Sequence, residues 1–218
     1  MWNTYKEAVL KTSREVANKG FVVGTSGNIS TRISEPGEKE LLAITPSGRY
    51  YDLLRLNDIV IVNFEGDLIQ GNLSPTIETM LHIEIYKARK NVNAIIHFHP
   101  VFGSVAAITG LNIPPVLEDQ VACLGGEIKV AEYALPGSMK LVQNVIYALG
   151  PRNAVILANH GALSTGQNMR EAFTNCEMLE KTAKIYIHAL GAGKINPLSD
   201  EALKMEQAFF NHTQSNNI

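Results

Sequence analysis

The chain has 218 residues, of which 45% are hydrophobic and 18% charged, with a formal net charge of −2. That length and mix suit one large α/β domain or two small ones with a sizeable core, one domain over residues 1–218 being the reading adopted, and the charge gives no general attraction to nucleic acid. Cys123 and Cys176 are too few for a disulfide framework, no apolar run reaches the roughly 18 residues of a membrane span, and the polar start Met1-Trp2-Asn3-Thr4 is no leader, so a cytoplasmic protein without membrane partners is expected.

In chain order, Ala8, Val9, Thr12, Val16 and Ala17 recur at helical spacing and predict a helix over Tyr5–Asn18, stopped by Gly20. Gly24-Thr25-Ser26-Gly27-Asn28 is too rich in small polar residues for a regular element. Strands are expected over Ile29–Ile33 and Asp58–Phe64, with Glu65-Gly66-Asp67 as a hairpin turn, and Leu41-Leu42-Ala43-Ile44 is a short apolar run cut off by Pro46, Ser47 and Gly48. Ser74-Pro75 reads as the cap and first position of a helix running to about Lys90, with Ile77, Leu81 and Ile85 on one face. Ala94–His99 is a strand stopped by Pro100, and a short helix is expected over Val101–Thr109. Pro114-Pro115 forces an irregular stretch. A helix over Ser138–Leu149, a buried strand over Ala154–Ala158, and helices over Met169–Leu190 and Ser199–Phe210 complete the chain. Strands mixed with helices throughout argue for a sheet covered by helices.

His97 and His99 are two apart on one strand, so both imidazoles point to the same face and can reach one ion from a rigid strand end. Zinc takes neutral imidazole nitrogens and commonly uses three protein ligands in catalytic sites. The plain alternative is two strand-end histidines without a metal. His160 also ends a buried apolar strand, and the Gly161 that follows permits close backbone approach. Its alternative is a histidine bonded to a neighbouring carbonyl. Glu78 lies near a helix start, where it can be a favourable end charge or a general acid/base. His82, one turn on, either orients Glu78 or is a half-buried core histidine, and the second reading is favoured. The loop Gly24–Asn28, the turn Thr45-Pro46-Ser47-Gly48 and Thr76 can present N–H groups and hydroxyls to an anion, or be ordinary turns. Glu118, Asp119 and Glu127 form an acidic cluster, either solvated or serving as a second proton carrier or a support for the ligands.

Taken together, Gly24-Thr25-Ser26-Gly27-Asn28-Ile29-Ser30, Thr45-Pro46-Ser47-Gly48, Pro75-Thr76-Ile77-Glu78, His97-Phe98-His99-Pro100 and Asn159-His160-Gly161 resemble, in that order, the class II aldolase/adducin family. That family includes L-fuculose-1-phosphate aldolase, L-ribulose-5-phosphate 4-epimerase and the adducin head domain. The resemblance implies an α/β/α sandwich with a largely antiparallel central sheet and a homotetramer with active sites near subunit interfaces. It implies zinc, or another divalent metal, on His97, His99 and His160, with Glu78 as the acid/base. Asn28, Ser47, Gly48 and Thr76 would hold a substrate phosphate. The implied reaction is cleavage of a ketose 1-phosphate to dihydroxyacetone phosphate and an aldehyde. The alternatives are a sugar-phosphate 4-epimerase, a decarboxylase or dehydratase, and a non-catalytic adducin-like module. The family's Pro-Ser-Ser-Glu reads here Pro75-Thr76-Ile77-Glu78, and Ile77 donates no hydrogen bond. Glu118 and Asp119 stand where the aldolases carry a tyrosine, and Phe209 and Phe210 are nearest to a second, C-terminal tyrosine.

Overall fold

A computed structural model describes residues 2–34 and 40–215. The first helix, α1 (Asn3–Asn18), buries Val9, Thr12 and Val16, as the spacing predicts. It ends in a Schellman motif: Gly20, at φ +70°, donates to Ala17 O and Phe21 donates to Val16 O. That turn folds Phe21 back into the core, where its carbonyl accepts the His99 N–H at 2.7 Å.

Four strands follow: β1 (Asn28–Ile33), β2 (Leu41–Ile44), β3 (Val60–Asn63) and β4 (Leu68–Gln70). A 3-10 turn at Leu56–Asp58 precedes β3, and the Glu65-Gly66-Asp67 turn joins β3 to β4 as expected. The next elements are α2 (Thr79–Ala88), β5 (Ala94–Phe98), α3 (Val101–Thr109), α4 (Glu118–Leu124) and β6 (Val130–Ala131). The chain continues through α5 (Met139–Leu149), β7 (Ala154–Leu157), β8 (Gly161–Gly166), α6 (Met169–Ala192) and α7 (Asp200–Ser215).

The strands form one eight-stranded sheet in the order β4-β3-β2-β1-β5-β8-β7-β6. Every pairing is antiparallel except β6 with β7. Alternate residues send their side chains into two separate cores. Ala94, Ile96 and Phe98 join the layer that includes Val9 of α1, Ala106 of α3 and Leu179 of α6. Ile95 joins the opposite layer, with Leu81 and Ile85 of α2 and Val145 of α5. The α/β/α sandwich with a largely antiparallel sheet is therefore the observed architecture.

The start of α2 differs from the sequence expectation. Ser74 and Pro75 are not its cap and first turn, because Pro75 bridges to Pro46 and Ser74 O accepts the Ser47 N–H at 2.9 Å. The helix begins at Thr79 with Glu78 in the capping position, and Ile77 points to solvent at 69% exposure instead of sharing a face with Leu81.

Candidate active site

The strand order places β8 between β5 and β7, and this brings His160 to His97 and His99. His160 sits in the tight turn joining β7 to β8, after Asn159 in the left-handed region at φ 54°. The three Nε2 atoms converge: those of His99 and His160 lie 3.1 and 3.2 Å from that of His97. His97 Nδ1 lies 2.9 Å from Ala162 O. A carbonyl only accepts, so the proton is on Nδ1 and Nε2 carries a bare lone pair. One lone pair cannot serve two neighbouring N–H groups well, whereas a cation satisfies all three nitrogens together. Burial, with His97 beside them, lowers the pKa of His99 to about 4 and that of His160 to about 4, against the opposing pull of Glu78. Both are therefore neutral near pH 7, the form that binds metal. The three histidines can hold a divalent ion, and the donor set is the nitrogen type that suits zinc.

Glu78 completes the cluster. Its Oε2 is 3.3 Å from His97 Nε2, and its Oε1 is 3.8 Å from His160 Nε2. Oε1 is buried without a hydrogen-bond partner, an orphan oxygen that a cation or a substrate hydroxyl would satisfy. Burial pushes the Glu78 carboxyl up, but His97, the Asn28 hydrogen bond, His160 and His82 together outweigh it, so the group sits below the ordinary carboxylate value.

Asn28, Ser47, Gly48 and Thr76 line one cavity of about 270 Å³ together with Glu78 and the three histidines. The bridge between Pro46 and Pro75 is what joins the second and third of these segments. Gly27 lets the first approach, since a Cβ there would stand 2.7 Å from His97 O. Among the described residues no lysine or arginine lines this cavity. Larger hollows, such as one of about 340 Å³ where Phe209 of α7 meets Asn175 of α6, hold no such convergence of histidines.

Glu118 and Asp119 do not line the cavity. They form the first turn of α4, where acidic groups favour the helix N-terminus, and Asp119 pairs with Lys181. Glu127 lies near Lys129 at 3.9 Å.

The largest departure from the sequence reading concerns His82, which is fully buried and bonded toward the site. Its Nε2 lies 2.6 Å from Asn28 Oδ1, and Asn28 Nδ2 donates to Glu78 Oε2 at 2.7 Å. His82 Nδ1 lies 2.7 Å from Ser30 Oγ, which lies 2.8 Å from the Tyr86 hydroxyl. The Arg32 guanidinium follows, stacked 5.0 Å from the Tyr86 ring centre. Alternate strand positions 28, 30 and 32 rise by about 6.7 Å. Helix positions 78, 82 and 86 rise by about 6 Å. The two periods match, and a polar strand face meets a polar helix face inside the protein. That coincidence of spacings was the available signal for His82, Ser30 and Tyr86.

The α/β/α fold and a three-histidine cluster that could hold a metal ion mark out a class of protein, and comparison with known proteins narrows it. Residues 7–187 match the Class II Aldolase and Adducin N-terminal domain, and the chain belongs to that family. It is 32% identical over 199 residues to the 5-deoxy-D-ribulose 1-phosphate aldolase of Bacillus thuringiensis serovar kurstaki, covering 91% of this chain and 92% of that protein. It is 29% identical over 204 residues to the 3-oxo-tetronate 4-phosphate decarboxylase of Haemophilus influenzae, covering 91% and 94%. Among solved structures, an L-fuculose 1-phosphate aldolase superposes with a TM-score of 0.89 at 33% identity, covering 95% of this chain and 96% of that one.

Proposed function

We propose that the protein is a zinc-dependent aldolase that cleaves a ketose 1-phosphate to dihydroxyacetone phosphate and an aldehyde. The observation that carries this reading is the orphan Glu78 Oε1, held within 3.8 Å of one of three converging imidazole nitrogens. His97, His99 and His160 would hold the ion, which when bound supplies Lewis-acid polarisation of the substrate carbonyl. Glu78 is the one carboxylate among the described residues lining the cavity; ionised, it would take up the hydroxyl proton released as the aldehyde carbonyl forms and pass it to the carbon left electron-rich as the aldehyde departs. Buried Asn28, bonded to Glu78, keeps that carboxylate aimed at the cavity.

The phosphate would lie against Ser47, Gly48, Thr76 and the spare amide hydrogen of Asn28, held by N–H groups and hydroxyls in the absence of a cationic side chain. Ile77 and Pro136 line the same cavity and offer an apolar wall. Such a wall suits an aldehyde ending in a methyl group, as released from a 5-deoxyketose phosphate, better than one ending in a hydroxyl. The relative that acts on 5-deoxy-D-ribulose 1-phosphate supports that choice.

The test is a panel of ketose 1-phosphates and their unphosphorylated forms, following release of the aldehyde by the zinc-loaded protein, with triose phosphate as the second product from the former and dihydroxyacetone from the latter. Cleavage of 5-deoxyribulose 1-phosphate is expected, with Ser47→Ala raising KM more than it lowers kcat. Equal use of the unphosphorylated sugar would remove the phosphate assignment. Release of carbon dioxide from a 3-oxo acid phosphate, with no triose phosphate from any ketose, would favour the decarboxylase relative instead.

A further inference from the structure

Five side chains that carry polar atoms, Asn28, Ser30, Glu78, His82 and Tyr86, lie buried at no more than 4% exposure where the β1 face meets α2. Their chemistry fixes the direction of the hydrogen bonds that lead to Glu78. An ionised carboxylate only accepts, so Asn28 presents its NH₂ to Glu78 and its carbonyl oxygen to His82. That carbonyl needs an N–H, so His82 carries its hydrogen on Nε2. Its Nδ1 then accepts the hydroxyl hydrogen of Ser30. The Tyr86 hydroxyl supports Ser30 from behind, reaching both its Oγ at 2.8 Å and its carbonyl at 3.0 Å.

The series is not a proton wire, because the primary amide of Asn28 does not pass protons along. Its work is orientation. The two ends of a carboxamide are nearly equal in size, so Asn28 can turn over with little steric cost. Turned over, it would set an oxygen against Glu78 Oε2, two acceptors in contact in a buried place, where mismatched polar groups are most costly. The His82 N–H removes that choice. Both carboxylate oxygens lie near the imidazoles, Oε2 3.3 Å from His97 Nε2 and Oε1 3.8 Å from His160 Nε2, but with Oε2 held by Asn28 it is Oε1 that is left without a hydrogen-bond partner.

We propose that His82 is a positioning residue for Glu78, acting through Asn28 to fix which carboxylate oxygen serves the reaction. The activity arm of the test rests on the aldolase reading; the spectroscopic arm does not. Nitrogen-15 NMR of the histidine-labelled wild-type protein reads the His82 tautomer directly. The Nε2–H form is expected, and the Nδ1–H form overturns the proposal whatever the protein catalyses. The activity arm compares His82→Leu with His82→Gln on 5-deoxyribulose 1-phosphate. Gln keeps an N–H near the place of Nε2, and Leu fills the space without one. His82→Leu is expected to lower kcat by ~10–100-fold, the usual effect of losing a group that orients a site residue, with KM and metal content close to wild type. His82→Gln is expected to recover most of that loss. If the leucine variant does not fold, His82→Asn takes its place, since its shorter amide meets Ser30 and falls short of Asn28. An unchanged kcat in the variant lacking the donor, or an equal loss in His82→Gln, overturns the proposal. A wild type that cleaves no ketose phosphate defeats the aldolase reading alone, and the tautomer still decides the positioning role.

Discussion

His97 makes opposite demands with its two ring nitrogens, and its place in the sheet answers both. Nδ1 gives its hydrogen to Ala162 O on the neighbouring strand, and Nε2 is left facing His99, His160 and Glu78. Because a backbone carbonyl sets the tautomer, Nε2 is left with a bare lone pair that an ion could use. The residues around it are neutral or anionic near pH 7: burial keeps His99 and His160 uncharged, and Glu78 is held ionised. Such a cluster can take a cation with little competition from protons near pH 7. The purified protein is therefore expected to carry about one divalent ion per chain, and the His97→Ala/His99→Ala double variant to carry almost none. Elemental analysis of the two proteins decides this, and equal metal content would contradict it.

At the scale of elements, much of the fold was legible because its strands are short apolar runs. β2, β5 and β7 consist of Leu41–Ile44, Ala94–Phe98 and Ala154–Leu157, and all are fully buried. The strand that assembles the site was not legible. β8, Gly161–Gly166, reads as a glycine-flanked polar loop, yet it is central and wholly buried. Its small residues are needed because α6 packs on it closely: a Cβ on Gly166 would stand 2.4 Å from Ala172 N, and Ser164 donates to Ala172 O at 2.8 Å. The onset of α2 was hidden for a different reason. Pro75 is compatible with a first helical turn, but its pairing with Pro46, a contact distant in sequence, holds it in an extended bridge, and a turn at Ile77-Glu78 intervenes before the helix begins at Thr79. The three converging histidines and Glu78 were visible as motifs, whereas the support beneath them depended on two periodicities meeting across the sheet.

Gly161 links element to site. A Cβ there would stand 2.7 Å from both His99 Cδ2 and Phe98 O, so even alanine must displace the backbone or the ligand ring. Gly161→Ala is expected to lower stability by ~1–3 kcal/mol through overpacking and to weaken metal binding along with it. Gly191→Ala on α6 is the control, since a Cβ there meets nothing within 4 Å and alanine is the better helix former. Thermal unfolding and metal titration of both variants check the contrast. Similar behaviour in the two would show that the close approach at Gly161 is unimportant.

At the scale of the whole molecule, the sheet divides two apolar layers, and the polar seam between β1 and α2 runs through one of them to the cavity. Folding this region requires histidines that stay neutral. Burial lowers His82 to about 3, and His99 and His160 to about 4. Their unfolded values are near 6.5, so between those limits the unfolded chain binds more protons than the folded one. Stability is then fully present above about pH 6.5 and falls as the pH drops toward 4, with a slope approaching 1.4 kcal/mol per unit for each such histidine. Glu78, depressed in the folded state, acts in the same direction at the lower end of the window. Denaturant unfolding of the metal-free protein from pH 8 to pH 4 should show a steady loss below about pH 6.5. A stability that is flat across that range would contradict the neutral, buried assignment.

The proposed function needs the three nitrogens, the cavity and the seam to serve one centre, at which a bound metal and Glu78 act on the same substrate. The most direct test of that claim is the rate of triose-phosphate release from 5-deoxyribulose 1-phosphate by the zinc-loaded protein, the chelator-stripped protein and zinc-loaded Glu78→Gln. Turnover is expected from the first, loss of turnover from the second with recovery on adding zinc back, and a fall of ~10²–10⁴-fold in kcat for the third at unchanged metal content. Turnover that survives both chelation and Glu78→Gln would contradict that claim.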